Sequence, residues 1–136
     1  MGECVLPEVI VGLGRVPLAR YAAPGTSALA ESLTPILAEH DAFLLENHGV
    51  VTVGSDVSAA HQKMETVEHA ARILLAARLL GGAHPLRPEQ VQELLEARPR
   101  YGVREGLAAC RQTPTETLDE ALIERIVERV RARLRS

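Results

Sequence analysis

Between Ser55 and Leu80 apolar side chains recur about every 3.6 residues, with Val57, Ala60, Met64, Val67, Ala71 and Leu74 on one face. This spacing predicts a long amphipathic helix, closed by Gly81 and Gly82. Upstream the period shortens. Asp41 to Glu46 and Val50 to Val53 are short runs rich in apolar and β-branched residues, as strands are, and the triplet Asn47-His48-Gly49 separates them. In "LLENHGVVTVG" they read as antiparallel neighbours or as one bent strand. Val9-Ile10-Val11 and Val16-Pro17-Leu18 flank the glycines of "GLGR" and read as a hairpin or a strand pair. After the turn "APGTS", Thr26 or Ser27 caps a helix from Ala28 to Glu39, with a kink or irregularity near Ser32 because Pro35 lies inside it. Pro88 suits the first turn of a helix over Val91, Leu94 and Leu95, which Pro99 stops. Thr117 and Glu120 form a capping box for a last helix through Leu118, Leu122, Ile126, Val130 and Leu134, whose basic end suits the helix dipole.

Composition narrows the function classes. A chain of 136 residues, 46% apolar and 24% charged, is long enough for one hydrophobic core and lacks the bias of disordered or fibrous chains. Fifteen basic residues against eighteen acidic ones leave a net charge of -3, and aromatics are only 2%. Neither an electrostatic footprint nor a stacking platform for nucleic acid is present. No apolar run approaches the roughly 18 residues that span a bilayer, and the opening "MGECVLPEVIVGLG" lacks the basic start of a signal peptide. Cys4 and Cys110 form no C-x-x-C motif and suggest neither a disulfide scaffold nor a thiolate metal site. A reducing, cytoplasmic setting is the plain expectation.

Few residues offer chemistry. His48, at a strand end before a glycine, reads as a turn residue, a hydrogen-bonded core histidine or a metal ligand, and a catalytic zinc needs three protein ligands. The chain has no H-x-H and no H-E-x-x-H to supply the others. His40 and His84 lie in loop-like stretches and read as surface residues. His61, Glu65, Glu68 and Arg72 form one stripe of the long helix, either a solvated set of i,i+4 pairs or, for Glu65 or Glu68, an acceptor for the N–H of a metal-bound histidine. Tyr21 precedes a tight Pro-Gly turn, as a packing residue or as a proton donor at a site. Gly12 and Gly14 match no phosphate-loop spacing.

In this order, "LPEVIVGLGRVPLARYAAPGT", "DAFLLENHGVVTVG" and "METVEHAARILLAARLLGG" resemble the class II aldolase/adducin family, from about Leu6 to Gly82. The resemblance implies an α/β fold, a three-layer α/β/α sandwich with a mostly antiparallel sheet, incomplete at the N-terminus. It implies residues 1–82 as the C-terminal portion of that domain and residues 83–136 as a helical extension packed on it. His48 matches the family's third zinc ligand, and Tyr21 matches an active-site tyrosine that commonly reaches in from a neighbouring subunit. Ala23 stands where that block often has threonine. Glu65 and Glu68 match acidic positions of the helix after the zinc strand.

The family's H-x-H pair, catalytic acid and phosphate-holding turns would precede "LPEV", so the chain reads as the C-terminal portion of such an enzyme, by truncation, misplaced start or gene decay. The implied function is zinc-dependent retro-aldol cleavage of a ketose 1-phosphate, with other divalent metals and epimerase or dehydratase relatives also possible, in a homo-oligomer that is a tetramer in the family. The isolated chain is expected to be inactive. The alternative is a non-catalytic oligomerisation or binding module of the adducin kind.

Overall fold

The computed structural model describes residues 3–111 and residue 128. The capping box expected at Thr117 and Glu120, and all but residue 128 of the last helix expected after it, lie outside them. The first element is not a strand but a short helix, α1 (Pro7–Gly12), and this corrects the expected hairpin. Pro7 at its start has a fixed φ suited to a first helical turn and lacks only an N–H that would be unpaired there. The helix closes where Leu13 and Gly14 both donate to the Val9 carbonyl, at 2.9 and 2.7 Å, with Gly14 left-handed at φ 71°. Val9 and Leu13 face one core cluster and Ile10 the other, so the run is apolar on nearly every side. A buried helix of that composition looks like a strand.

Strand β1 (Leu18–Ala19) leads through α2 (Ser27–Leu37) into β2 (Ala42–Leu45), and the crossover makes β1 and β2 parallel, Leu18 opposite Leu44 and Ala19 opposite Leu45. Thr26 is the N-cap residue of α2, although its Oγ1 donates to the Ala23 carbonyl rather than capping. The helix continues through Pro35. β2 pairs antiparallel with β3 (Gly49–Thr52), from Ala42 opposite Thr52 to Leu45 opposite Gly49, giving a mixed sheet in the order β1-β2-β3.

The long helix α3 (Val57–Leu79) starts where the Asp56 carboxylate accepts from the Ala59 N–H at 2.8 Å and ends before Gly81 and Gly82, both at positive φ. Its covered side runs through Ala60, Lys63, Val67, Ala70 and Leu74. Val57 and Ala71, expected on the core face, are exposed. Val67 and Ala70 join Val9, Leu13, Val16 and Ala42 in one cluster, which packs α1 and α3 on the Ala42 face of the sheet. α4 (Pro88–Ala97) lies against α1 and runs into a 3-10 turn at Arg98–Tyr101.

The second cluster, Cys4, Ile10, Val91 and Cys110, contains a disulfide between the two cysteines, 106 residues apart in sequence. The expectation of unpaired cysteines is therefore wrong, and the cysteine-based reason for a reducing compartment falls with it. No local motif signals a pair that only the packing of residues 98–110 beside α1 brings together. His40 also departs from expectation: it is buried, its Nδ1 3.0 Å from the Arg15 carbonyl, because the α2–β2 connection passes under the chain that follows α1. His84 is exposed, as expected. No helix among the described residues is long and apolar enough to cross a membrane.

Candidate functional site

The register of β2 and β3 leaves Glu46, Asn47 and His48 as a three-residue turn. The His48 N–H donates to the Leu45 carbonyl at 3.1 Å, and Asn47 takes the left-handed conformation, φ 54°, that asparagine tolerates better than most side chains. His48 is exposed at the tip. The polar triplet that interrupts two apolar runs is thus a hairpin turn presenting an imidazole.

Parallel pairing of β1 with β2 carries the chain after Ala19 to the same end of the sheet. The Glu46 N–H donates to the Ala19 carbonyl at 3.3 Å, and the Tyr21 N–H donates to Glu46 Oε2 at 2.9 Å. A charge-assisted bond of this kind is about twice as strong as a neutral one. It fastens the Tyr21 segment to the turn that bears His48. Tyr21 itself is 62% exposed, its ring on the surface rather than in the core. The fold therefore brings the segments of Tyr21 and His48 together, although 26 intervening residues hide this in the sequence.

Among the described residues Glu65 and Glu68 form ion pairs within α3 and none with that turn. Glu65 lies 3.6 Å from His61 and Glu68 2.8 Å from Arg72, both one helical turn away on α3 and well exposed. Among the described residues neither carboxylate is hydrogen-bonded to His48, and no group of three or more His, Cys, Asp or Glu side chains is placed to hold a metal ion.

The sequence profile described as "Class II Aldolase and Adducin N-terminal domain" matches residues 4–75, from the disulfide through most of α3. The chain belongs to the class II aldolase and adducin family. Similar curated proteins include 3-oxo-tetronate 4-phosphate decarboxylase of Escherichia coli K12, 35% identical over 92 residues that cover 68% of this chain and 42% of that protein. L-fuculose phosphate aldolase of Methanococcus maripaludis strain C7 is 32% identical over 71 residues, 52% of this chain and 38% of the relative. Among solved structures, Escherichia coli YgbL, described as a candidate aldolase/epimerase/decarboxylase, superposes with a TM-score of 0.61 at 33% identity, covering 68% of this chain and 44% of that one. An L-fuculose 1-phosphate aldolase gives 0.60 at 29% identity, covering 67% and 43%. The chain thus spans less than half the length of these relatives.

This class II aldolase family member also holds a charged cluster that the motifs did not reveal. Asp41 immediately precedes β2, its side chain only 9% exposed, and its two oxygens accept from Lys63 Nζ at 2.7 Å and Arg104 Nε at 2.6 Å. Burial works to raise the Asp41 pKa, but the hydrogen bonds and charges of Lys63 and Arg104 outweigh it and hold the carboxyl below its usual range. Lys63 also donates to the Val53 carbonyl at 2.9 Å. The three residues line an open cleft of about 700 Å³ between α3 and residues 101–104. One signal was available: Lys63 sits at the spacing of the covered stripe of α3. Arg104 carried none.

Proposed function

We propose that the chain contributes one end of a metal-dependent lyase site that acts on a sugar phosphate, with His48 as a metal donor and Tyr21 as a proton donor serving a neighbouring copy. The observation that carries this reading is the fastening of the Tyr21 segment to the His48 turn through Glu46. The relatives' names support the substrate class. Cleaving a carbon–carbon bond of a ketose phosphate and removing carbon dioxide from a 3-oxo acid both leave an electron pair on carbon beside a carbonyl, so one site design serves both reactions. An exposed phenol can give or take the proton that either reaction moves at its oxygen-bearing carbon.

The described donor set does not fit a complete metal site, because a catalytic zinc takes three protein ligands and the turn supplies one imidazole. The remaining donors must come from outside the described residues, and no catalytic step is assigned through the metal. Glu65 and Glu68 enter this reading only if such donors approach α3. Assembly into a homo-oligomer in the cytoplasm and a layered α/β/α arrangement around the mixed sheet belong to the same proposal, as does the reading of residues 83–136 as an extension of the domain.

Zinc titration by calorimetry tests the donor role. Zinc sites with a full ligand set gain about 10–16 kcal/mol in small folded peptides, and a single imidazole falls far below that. The 136-residue chain should bind zinc weakly, His48→Ala should remove most of the heat, and the pure chain should not cleave L-fuculose 1-phosphate. Tight zinc binding that survives His48→Ala, or robust zinc-dependent turnover by the chain alone, would contradict the proposal.

A further inference from the structure

Residues 98–111 form a strap that crosses the molecule from the end of α4 and makes one wall of the cleft, through Tyr101, Gly102, Val103 and Arg104. Among the described residues, side chains fasten the strap at three places. Near its far end Cys110 is bonded to Cys4, beside a strand-like bridge between Glu3 and Arg111. In its middle Arg104 holds the buried Asp41. At its start Arg98 donates to the Ile10 carbonyl at 2.9 and 3.2 Å and to the Leu107 carbonyl at 2.9 Å, with no carboxylate partner among the described residues. Between these, the Arg15 N–H donates to the Ala108 carbonyl and the Ala108 N–H to the Glu39 carbonyl, at 3.1 and 2.9 Å.

Only one of these fastenings is covalent, and only that one responds to redox conditions. Apart from Leu107, Val103 and Ala108, residues 101–109 are exposed, so little apolar burial holds the strap down. By contrast the sheet and α3 share a cluster to which the strap adds none of the buried members. We propose that the Cys4–Cys110 disulfide is a redox-operated latch: oxidised, it keeps the strap seated and the cleft walled, and reduced, it lets the strap leave while the sheet and α3 stay folded. The reductant is a dithiol. Its thiolate attacks one cysteine sulfur and breaks the Cys4–Cys110 bond through a mixed disulfide. Its second thiol then closes the reductant's own S–S bond, leaving two cysteine thiols after uptake of two electrons and two protons.

The same geometry makes the latch self-guarding. Cys4 is 1% and Cys110 7% exposed, so a thiolate cannot approach either sulfur along the S–S axis while the strap is seated. Brief release of the strap must come first. Weakening a fastening that lies away from the cysteines therefore exposes the disulfide, and Arg104 is such a residue.

Hydrogen exchange of the full chain, followed by mass spectrometry or NMR before and after treatment with dithiothreitol, tests the latch. On reduction the Ala108 and Arg15 amides should exchange at least about tenfold faster, while amides of β2, β3 and the middle of α3 keep their protection. Unchanged exchange in the strap, or loss of protection throughout the sheet, would overturn the proposal. The rate of reduction by dithiothreitol gives a second readout that needs no cysteine variant. Arg104→Ala removes charge-assisted bonds and should speed reduction of the disulfide about tenfold, and a rate equal to that of the unaltered chain would overturn the guarding role.

Discussion

Replacing Asp41 with asparagine is expected to lower the unfolding free energy by about 2–4 kcal/mol at neutral pH. Asparagine keeps the shape of the side chain but withdraws the charge that both Lys63 and Arg104 face in a site where Asp41 is almost covered. Breaking a fully buried pair by removing one partner typically costs about 3–5 kcal/mol. The value here is discounted because the Arg104 side chain is 42% exposed and can turn to water, whereas Lys63, at 26%, is more confined.

The same residue sets a pH dependence whose sign follows from its lowered pKa. A carboxylate held below its unfolded value binds protons more readily in the unfolded chain, so its stabilisation is fully present above about pH 4 and is lost as pH falls through the lower folded value. Urea unfolding of the parent chain and Asp41→Asn should differ most at neutral pH. The gap should close as the pH is taken from about 5 to about 2. A gap of constant size over that range would show that Asp41 does not hold the two cations.

Gly14→Ala is the second large effect. Gly14 follows α1 at φ 71°, and a Cβ built there meets the Ala108 carbonyl oxygen and, at 2.6 Å, a guanidinium nitrogen of Arg98. The left-handed conformation costs an alanine about 1–2 kcal/mol, and displacing a packed neighbour adds about 1–3 kcal/mol, for a total near 2–5 kcal/mol. Gly12 is the built-in control. It lies within α1, has nothing within 4 Å of its Cβ position and has no positive φ, so alanine there should be neutral or stabilise by about 0.5–1 kcal/mol. Denaturant curves in which the two variants lose stability equally would contradict the seating of the strap on Gly14.

What could be read from the sequence divides along the range of the interactions. The strands β2 and β3, α3 and α4 follow from local signals: two β-prone runs around a turn triplet, read either as antiparallel neighbours or as one bent strand, an apolar period of 3.6 and a proline at the start of α4. The His48 turn was legible for the same reason. α1 was not, because six residues are too few to display a helical period when Val9, Leu13 and Ile10 are all buried. The stripe of α3 was placed slightly off its true position because Lys63 occupies a covered position by virtue of Asp41, a partner 22 residues away. Arg104, His40 and the cysteine pair depend on contacts between distant segments, which periodicity does not record. Tyr21 and His48 could be named singly, but their shared end of the sheet follows only from the parallel pairing of β1 with β2.

The central claim is that the Asn47-His48 turn, with the Tyr21 segment fastened to it, is where a metal ion meets this chain. Titration with a paramagnetic divalent ion, followed by amide NMR of the parent chain and His48→Ala, tests this most directly. The account predicts line broadening that is strongest at His48, reaches Glu46 and Tyr21, and disappears in the variant. Broadening centred instead on His61 and Glu65 or on His84, or broadening unchanged by His48→Ala, would contradict it.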